Sequence, residues 1–251
     1  MSIKLVESSL NLRIERNKTN MDYTLSADVA EKQLEFAADI YANVEYMNCN
    51  SEDYLNKFIE KGYSLYISTD SNHRGVMCAV KSDYEAKILA TMENLHFMHL
   101  ELKKDGRKID LIVLRILVAG GGDEDFKSRA EQWQKFAGYI NSLEDKSNVI
   151  VTGDFNNGVI SDRYDKISPR RFYNYQMIVR DLKDKGVALY EMEGCSLKND
   201  MKIDHIAAGK NISITKAEYV TAFDGKAAIG IPDHNLIVAE FDVAGDIEKL
   251  K

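Results

Sequence analysis

The sequence predicts a four-layer α/β sandwich, with two mixed β-sheets packed face to face and helices outside. Strand-like apolar runs alternate with amphipathic helical stretches along the 251 residues. Some strands are joined directly: Leu95–Leu102 and Ile109–Leu117 flank Lys103-Lys104-Asp105-Gly106-Arg107-Lys108 as a hairpin, which excludes a purely parallel wind. There are only 2 prolines, Pro169 and Pro232, and no Gly/Ser linker, repeat or low-complexity tract, so one domain over 1–251 is expected.

Residues 3–14 read as the first strand. Asp28 with Glu31 marks a helix start, and Val29, Leu34, Phe36 and Ala37 carry that helix toward Asp39. A second strand runs from Ile40 to Tyr46. Ser51 opens another helix, with Tyr54, Leu55, Phe58 and Ile59 at helical spacing and Gly62 as its stop. Tyr63–Ser68 and Gly75–Val80 are β-like and precede the hairpin. The segment 126–144 is the strongest helix, because Phe126, Ala130, Trp133, Ala137 and Ile140 share one stripe. Strands at 148–153, 187–191, 203–207, 215–221 and 235–243 follow, with a helix near 173–185 stopped by Gly186.

The formal charge of -7 and a pI near 5.4 argue against a protein that coats nucleic acid. They do not exclude a nuclease, since metal-holding carboxylates add negative charge. The 3 cysteines, Cys49, Cys78 and Cys195, lack paired spacing and read as reduced thiols. The amino-terminal stretch has no apolar run fit for a signal peptide, and no run approaches the roughly 18 apolar residues of a membrane span. A soluble cytoplasmic protein is expected.

Three short words carry the chemistry: Gly153-Asp154-Phe155-Asn156, Ile203-Asp204-His205 and Pro232-Asp233-His234. Each adjoins a β-branched run, so its polar groups arrive at a sheet rim, where sites are built. In the first word, a spacing of two puts Asp154 and Asn156 on one side and turns Phe155 inward. Asp154 is suited to take a proton from water, and Asn156 to orient that water. His234 is suited to meet a phosphoryl group. His205 faces away from Asp204 and reads as structural, and Trp133 reads as core.

The order of these words resembles the endonuclease/exonuclease/phosphatase superfamily, whose members are similar to deoxyribonuclease I. Gly-Asp-Phe-Asn stands about 50 residues before Ile-Asp-His, and that word about 30 before Asp-His. The resemblance runs from about Ser9 to Asp242. Ser9-Leu10-Asn11-Leu12-Arg13 is similar to the family's opening Trp-Asn-Leu-Arg pattern and implies a place for Asn11 near a metal. Asp39-Ile40-Tyr41-Ala42-Asn43-Val44-Glu45 overlays Asp-Ile-x-x-x-Gln-Glu with Val44 for Gln, and implies Glu45 as a metal ligand. The resemblance further implies that Asp204 orients His234 and that Asp233 is a metal-side carboxylate. The implied cofactor is Mg²⁺ or Mn²⁺. The implied activity is phosphoester hydrolysis by a nuclease or phosphodiesterase. The partner would be nucleic acid, or a phosphorylated small molecule if the protein is a phosphomonoesterase; a non-catalytic binding module is the third reading.

The sequence departs from the family where relatives carry His or Tyr before the long helix, because Arg115 stands there. Arg115 is expected either to clamp a phosphate or to pair with a carboxylate as scaffold. The loop 157–175 interleaves Arg163, Lys166, Arg170 and Arg171 with Tyr164, Phe172, Tyr173 and Tyr175, a mixture suited to phosphates and stacked bases. Arg170, Arg171 and Tyr173 are its expected substrate contacts. Gly120-Gly121-Gly122 lacks the frame of a nucleotide cradle and reads as a loop near the rim.

Overall fold

A computed structural model describes residues 1–11, 14–16, 23–69, 73–92, 95–157, 172–197, 201–221 and 234–244. Their strands are β1 (Ser2–Ser9), β2 (Ile14–Arg16), β3 (Tyr23–Leu25), β4 (Ile40–Met47), β5 (Tyr63–Thr69), β6 (Arg74–Lys81), β7 (Glu85–Thr91), β8 (His96–Lys104), β9 (Arg107–Arg115), β10 (Val149–Asp154), β11 (Val187–Tyr190), β12 (Asp204–Gly209), β13 (Ile212–Val220) and β14 (Leu236–Val243). The helices are α1 (Ala27–Leu34), α2 (Glu52–Glu60), α3 (Asp123–Ser142) and α4 (Tyr175–Asp184). One six-stranded sheet has the order β13-β14-β1-β4-β6-β5, and the other β11-β12-β10-β9-β8-β7. Both mix parallel with antiparallel pairs: β1 runs parallel to β4 and antiparallel to β14, and β10 runs parallel to β9 and antiparallel to β12.

Alternation along the strands builds the layers. On β1, Ile3 and Leu5 face the second sheet and meet a core with Leu111, Val113, Ile150 and Ile206. On the outer face of the first sheet, Val6 and Tyr41 pack with Val29, Tyr54 and Phe58 of α1 and α2. On the outer face of the second, Ile112 and Val151 pack with Trp133, Phe136, Ile178 and Leu182 of α3 and α4. The result is the four-layer sandwich that the sequence predicts, and Trp133 lies in its core as expected.

Several boundaries differ. The first strand ends at Ser9 rather than near 14, where its ladder with β4 closes on the pair Ser9 and Val44. The first helix stops at Leu34 rather than reaching toward Asp39. Ala37 adopts a left-handed φ of 48° and its N–H closes the helix end on the Leu34 carbonyl at 3.0 Å. Strand β7 was not expected; its largely exposed sequence hides the signal. All three cysteines are free. Among the described residues no helix is long and apolar enough to cross a membrane.

Candidate active site

The inter-sheet faces of four strands run from apolar core to charge at the same end. On β1, Ile3 and Leu5 are followed at period two by Glu7 and Ser9. On β9, Ile109, Leu111 and Val113 lead to Arg115, and on β10 Ile150 leads to Asp154. On β12, running the other way, Ala208 and Ile206 lead back to Asp204. Register then aligns them, since Arg115 is the partner of Asp154 on β9 and β10, and Asp154 that of Asp204 on β10 and β12. Cross-strand neighbours stand close enough for their side chains to interact.

Glu45 joins them by a different route. Strict alternation along β4 would send it outward with Tyr41 and Asn43. The register shift between Asn43 and Tyr46 and a left-handed φ of 57° at Glu45 turn it inward. Such a conformation at a non-glycine residue carries strain of the kind found at functional sites. Its carboxylate accepts from Ser9 Oγ and pairs with Arg115 Nη2 at 2.5 Å. The same guanidinium lies 3.4 Å, Nε to Oδ2, from Asp154. Arg115 is therefore placed as a bridge between two carboxylates, the scaffold arrangement of the two expected for it.

Asp154 and Asn156 share one side, as the spacing predicts. The Asn156 N–H donates to Asp154 Oδ1 at 2.8 Å, and Asn156 Nδ2 donates to Oδ2 at 2.7 Å and to the Ile116 carbonyl at 2.7 Å. Asn156 has a left-handed φ of 48°, held from outside by Arg129, whose Nη1 donates to its carbonyl at 2.9 Å. Arg129 is in turn paired with Asp125, which accepts from the N–H groups of Ala119 and Gly121. Gly153 is required where it stands: its φ is 134°, and an added Cβ would lie 2.0 Å from the Leu114 carbonyl oxygen.

His234 Nδ1 lies 2.8 Å from Asp204 Oδ2 and 3.1 Å from Oδ1, so the carboxylate orients the ring. Ser196 fixes this pair. Its hydroxyl accepts from the N–H groups of Ile203 and Asp204 at 2.8 and 3.1 Å, and its carbonyl accepts from Asn235 N–H at 2.6 Å. Nothing in the sequence around Ser196 signals that role.

Glu7 is the residue that motif reading passes over. It has no accessible surface, and among the described residues neither carboxylate oxygen has a hydrogen-bond partner. Burial, then the nearby charges of Asp204, Asp154 and Glu45, push its carboxyl well above the usual range, opposed by His234. The signal was present as a carboxylate at period two from Ile3 and Leu5 on a core-facing strand. Burial, with Asp204 and Glu45 nearby, also pushes Asp154 up to about 7, against the pull of His234 and Arg115. Among the described residues, the carboxylates of Glu7, Glu45, Asp154 and Asp204 thus gather at this rim with the Arg115 guanidinium. Asp154, Asp204 and His234 offer ligand atoms within 4.8 Å of one another. Hard oxygen donors in excess of positive charge, one pair with no protein partner, fit a divalent cation.

The other expected residues make different contacts or lie outside the described residues. Asn11 lies past the end of β1, where its side-chain oxygen accepts from Arg74 Nη1 at 3.0 Å. Tyr173 corrects the expectation of a substrate contact: it is fully buried beside Trp133 and donates to the Phe155 carbonyl at 2.6 Å, leaving no ring face open. Aromatic spacing alone cannot tell a stacking platform from a core ring. Asp233, Arg163, Tyr164, Lys166, Arg170 and Arg171 lie outside the described residues. Phe155 packs against Trp133, and His205 faces outward from the cluster, bonded through Nε2 to the Asn157 carbonyl at 2.8 Å.

No protein-family model matches the chain, and no curated protein matches its sequence. Solved structures do match. The endonuclease/exonuclease/phosphatase of Beutenbergia cavernae is similar over 97% of this chain and 72% of its own, with a TM-score of 0.67 at 12% identity. D. rerio TDP2 complexed with a single-strand DNA product is similar over 96% and 99%, with a TM-score of 0.62 at 13% identity. The endonuclease domain of TRAS1, a telomere-specific non-LTR retrotransposon, is similar over 98% and 100%, with a TM-score of 0.61 at 14% identity. Two mixed six-stranded sheets between paired helices, matched over nearly the whole chain, give this protein the same α/β sandwich fold as these solved structures.

Proposed function

We propose that the protein is a phosphodiesterase acting on nucleic acid, dependent on Mg²⁺ or Mn²⁺, that hydrolyses the ester with an activated water. The observation that carries this reading is the cluster of Asp154, Asp204 and His234 at one rim, with the Asn156 amide on the Asp154 carboxylate. A carboxylate pushed up to about 7 accepts a proton from water near neutral pH. Asn156 fixes the direction of that carboxylate. The imidazolium of His234, oriented by Asp204, donates from Nε2 to a phosphoryl oxygen as negative charge grows there. Glu45 and the carboxylates around it would hold the cation, which supplies positive charge to the phosphoryl oxygens. Likeness to a TDP2 captured with a single-strand DNA product supports nucleic acid as the substrate class.

The test is hydrolysis of single- and double-stranded DNA, RNA, a mononucleotide and a phosphoinositide by the purified protein. Each is run with Mg²⁺, with Mn²⁺ and with chelator, beside His234→Ala. Diester cleavage that needs the cation and falls at least about 100-fold in the variant is expected. Release of phosphate from the monoesters alone would replace this reading with a phosphomonoesterase. No hydrolysis under any condition would leave the binding module.

A further inference from the structure

We infer that Glu7 anchors the divalent cation of this site, a conclusion that rests on the hydrolase reading above and deepens it. The argument is an account of carboxylate oxygens. Both oxygens of Asp204 lie against His234 Nδ1. Those of Asp154 accept from the backbone and side-chain nitrogens of Asn156. Those of Glu45 are divided between Ser9 and Arg115. Glu7 alone among these four has two oxygens with no donor among the described residues, and it has no exposed surface.

The surroundings point the same way. Glu7 lies in the field of Asp204, Asp154 and Glu45 as well as His234, so it belongs to the cluster and not to the apolar core behind it. A buried carboxylate without donors is tolerated when a metal coordinates it. Mg²⁺ takes one or two protein carboxylates at about 2 Å and keeps waters in its remaining positions, so one such group is enough to seat it. Arg115 already pairs with one oxygen of Glu45, so Glu45 would hold the cation less completely than Glu7, whose two oxygens are both open.

The experiment is direct Mn²⁺ binding by calorimetry and electron paramagnetic resonance, with thermal unfolding at increasing Mn²⁺, on the wild type and Glu7→Gln. Wild type should bind Mn²⁺ and gain melting temperature as it does so. In chelator Glu7→Gln should fold and melt close to wild type, because Gln keeps the size and shape of the side chain. It should also lose the Mn²⁺-induced shift and bind more weakly by more than the roughly 10–100-fold typical of losing an outer-shell partner. Unchanged affinity in Glu7→Gln would overturn the inference and make Glu7 a buried protonated acid, while a Mn²⁺-dependent diesterase activity would still stand. Absence of Mn²⁺ binding by wild type would overturn both. Should Glu7→Gln not fold, anomalous scattering from Mn²⁺-soaked wild-type crystals decides. A peak about 2 Å from a Glu7 oxygen supports the assignment, and a peak held by the other carboxylates without Glu7 overturns it.

Discussion

Replacing Arg115 with alanine removes the guanidinium that pairs with Glu45 and lies against Asp154. Its Nη2 is 2.5 Å from Glu45 and its Nε 3.4 Å from Asp154, and the Asp154 side chain is 1% exposed. Removing one partner of a buried pair typically costs about 3–5 kcal/mol, because the charge left behind has neither water nor counter-ion. Arg115 keeps 17% of its side-chain surface, so water enters as it leaves and the lower end, about 3 kcal/mol, applies. For a chain this size, each kcal/mol moves the melting temperature by about 2–4 °C, so Arg115→Ala should melt about 6–12 °C lower in chelator. Arg115→Lys should recover only part of that loss, since an ammonium is a point charge and not a fork spanning two carboxylates. Calorimetric unfolding of both variants, and of the Arg115→Ala/Glu45→Gln double variant, checks the reasoning. Contact should appear as a coupling energy of about 0.5–3 kcal/mol. Arg115→Ala within about 0.5 kcal/mol of wild type, or strictly additive double-variant energies, would refute a structural bridge. Lost turnover in a fully stable Arg115→Lys would then restore the phosphate clamp.

Asp154→Asn should fold and lose turnover by about 10²–10⁴-fold, and near-normal turnover in steady-state assays would remove Asp154 as the base. Gly153→Ala forces an L side chain at φ 134° with its Cβ 2.0 Å from the Leu114 carbonyl; a melting curve within a degree or two of wild type would contradict the required glycine. The folded pKa of Asp154, about 7, lies above its ordinary 3.8, so its contribution to stability is complete at acid pH and is lost as pH rises through about 7. In chelator, wild type should therefore lose melting temperature relative to Asp154→Asn between about pH 4 and 7. Parallel curves for the two proteins would show that Asp154 does not titrate there.

What the sequence determined by itself was local. Period-two runs and helical stripes are set by neighbouring residues, and they specified two sheets with helices outside. The words around Asp154, Asp204 and His234 were legible for the same reason: strand register carries a polar word at a strand end to the rim without further help. Phe155 and Trp133 could be assigned to the core from their stripes alone. Only the tertiary structure decided which carboxylates meet. Glu45 reaches the site because a bulge and a left-handed turn reverse its side, an event that its sequence neighbours do not encode. Arg115 could have faced substrate or scaffold until β9 aligned with β10 and β4 came within reach. Tyr173 read as a stacking ring until Trp133 was seen to cover it. Glu7 drew no attention because alternation says only that a side chain points inward. Whether that inward place is oil or a cluster of charge depends on strands as distant as β10, β12 and the approach to β14, and long-range packing is what brings those together.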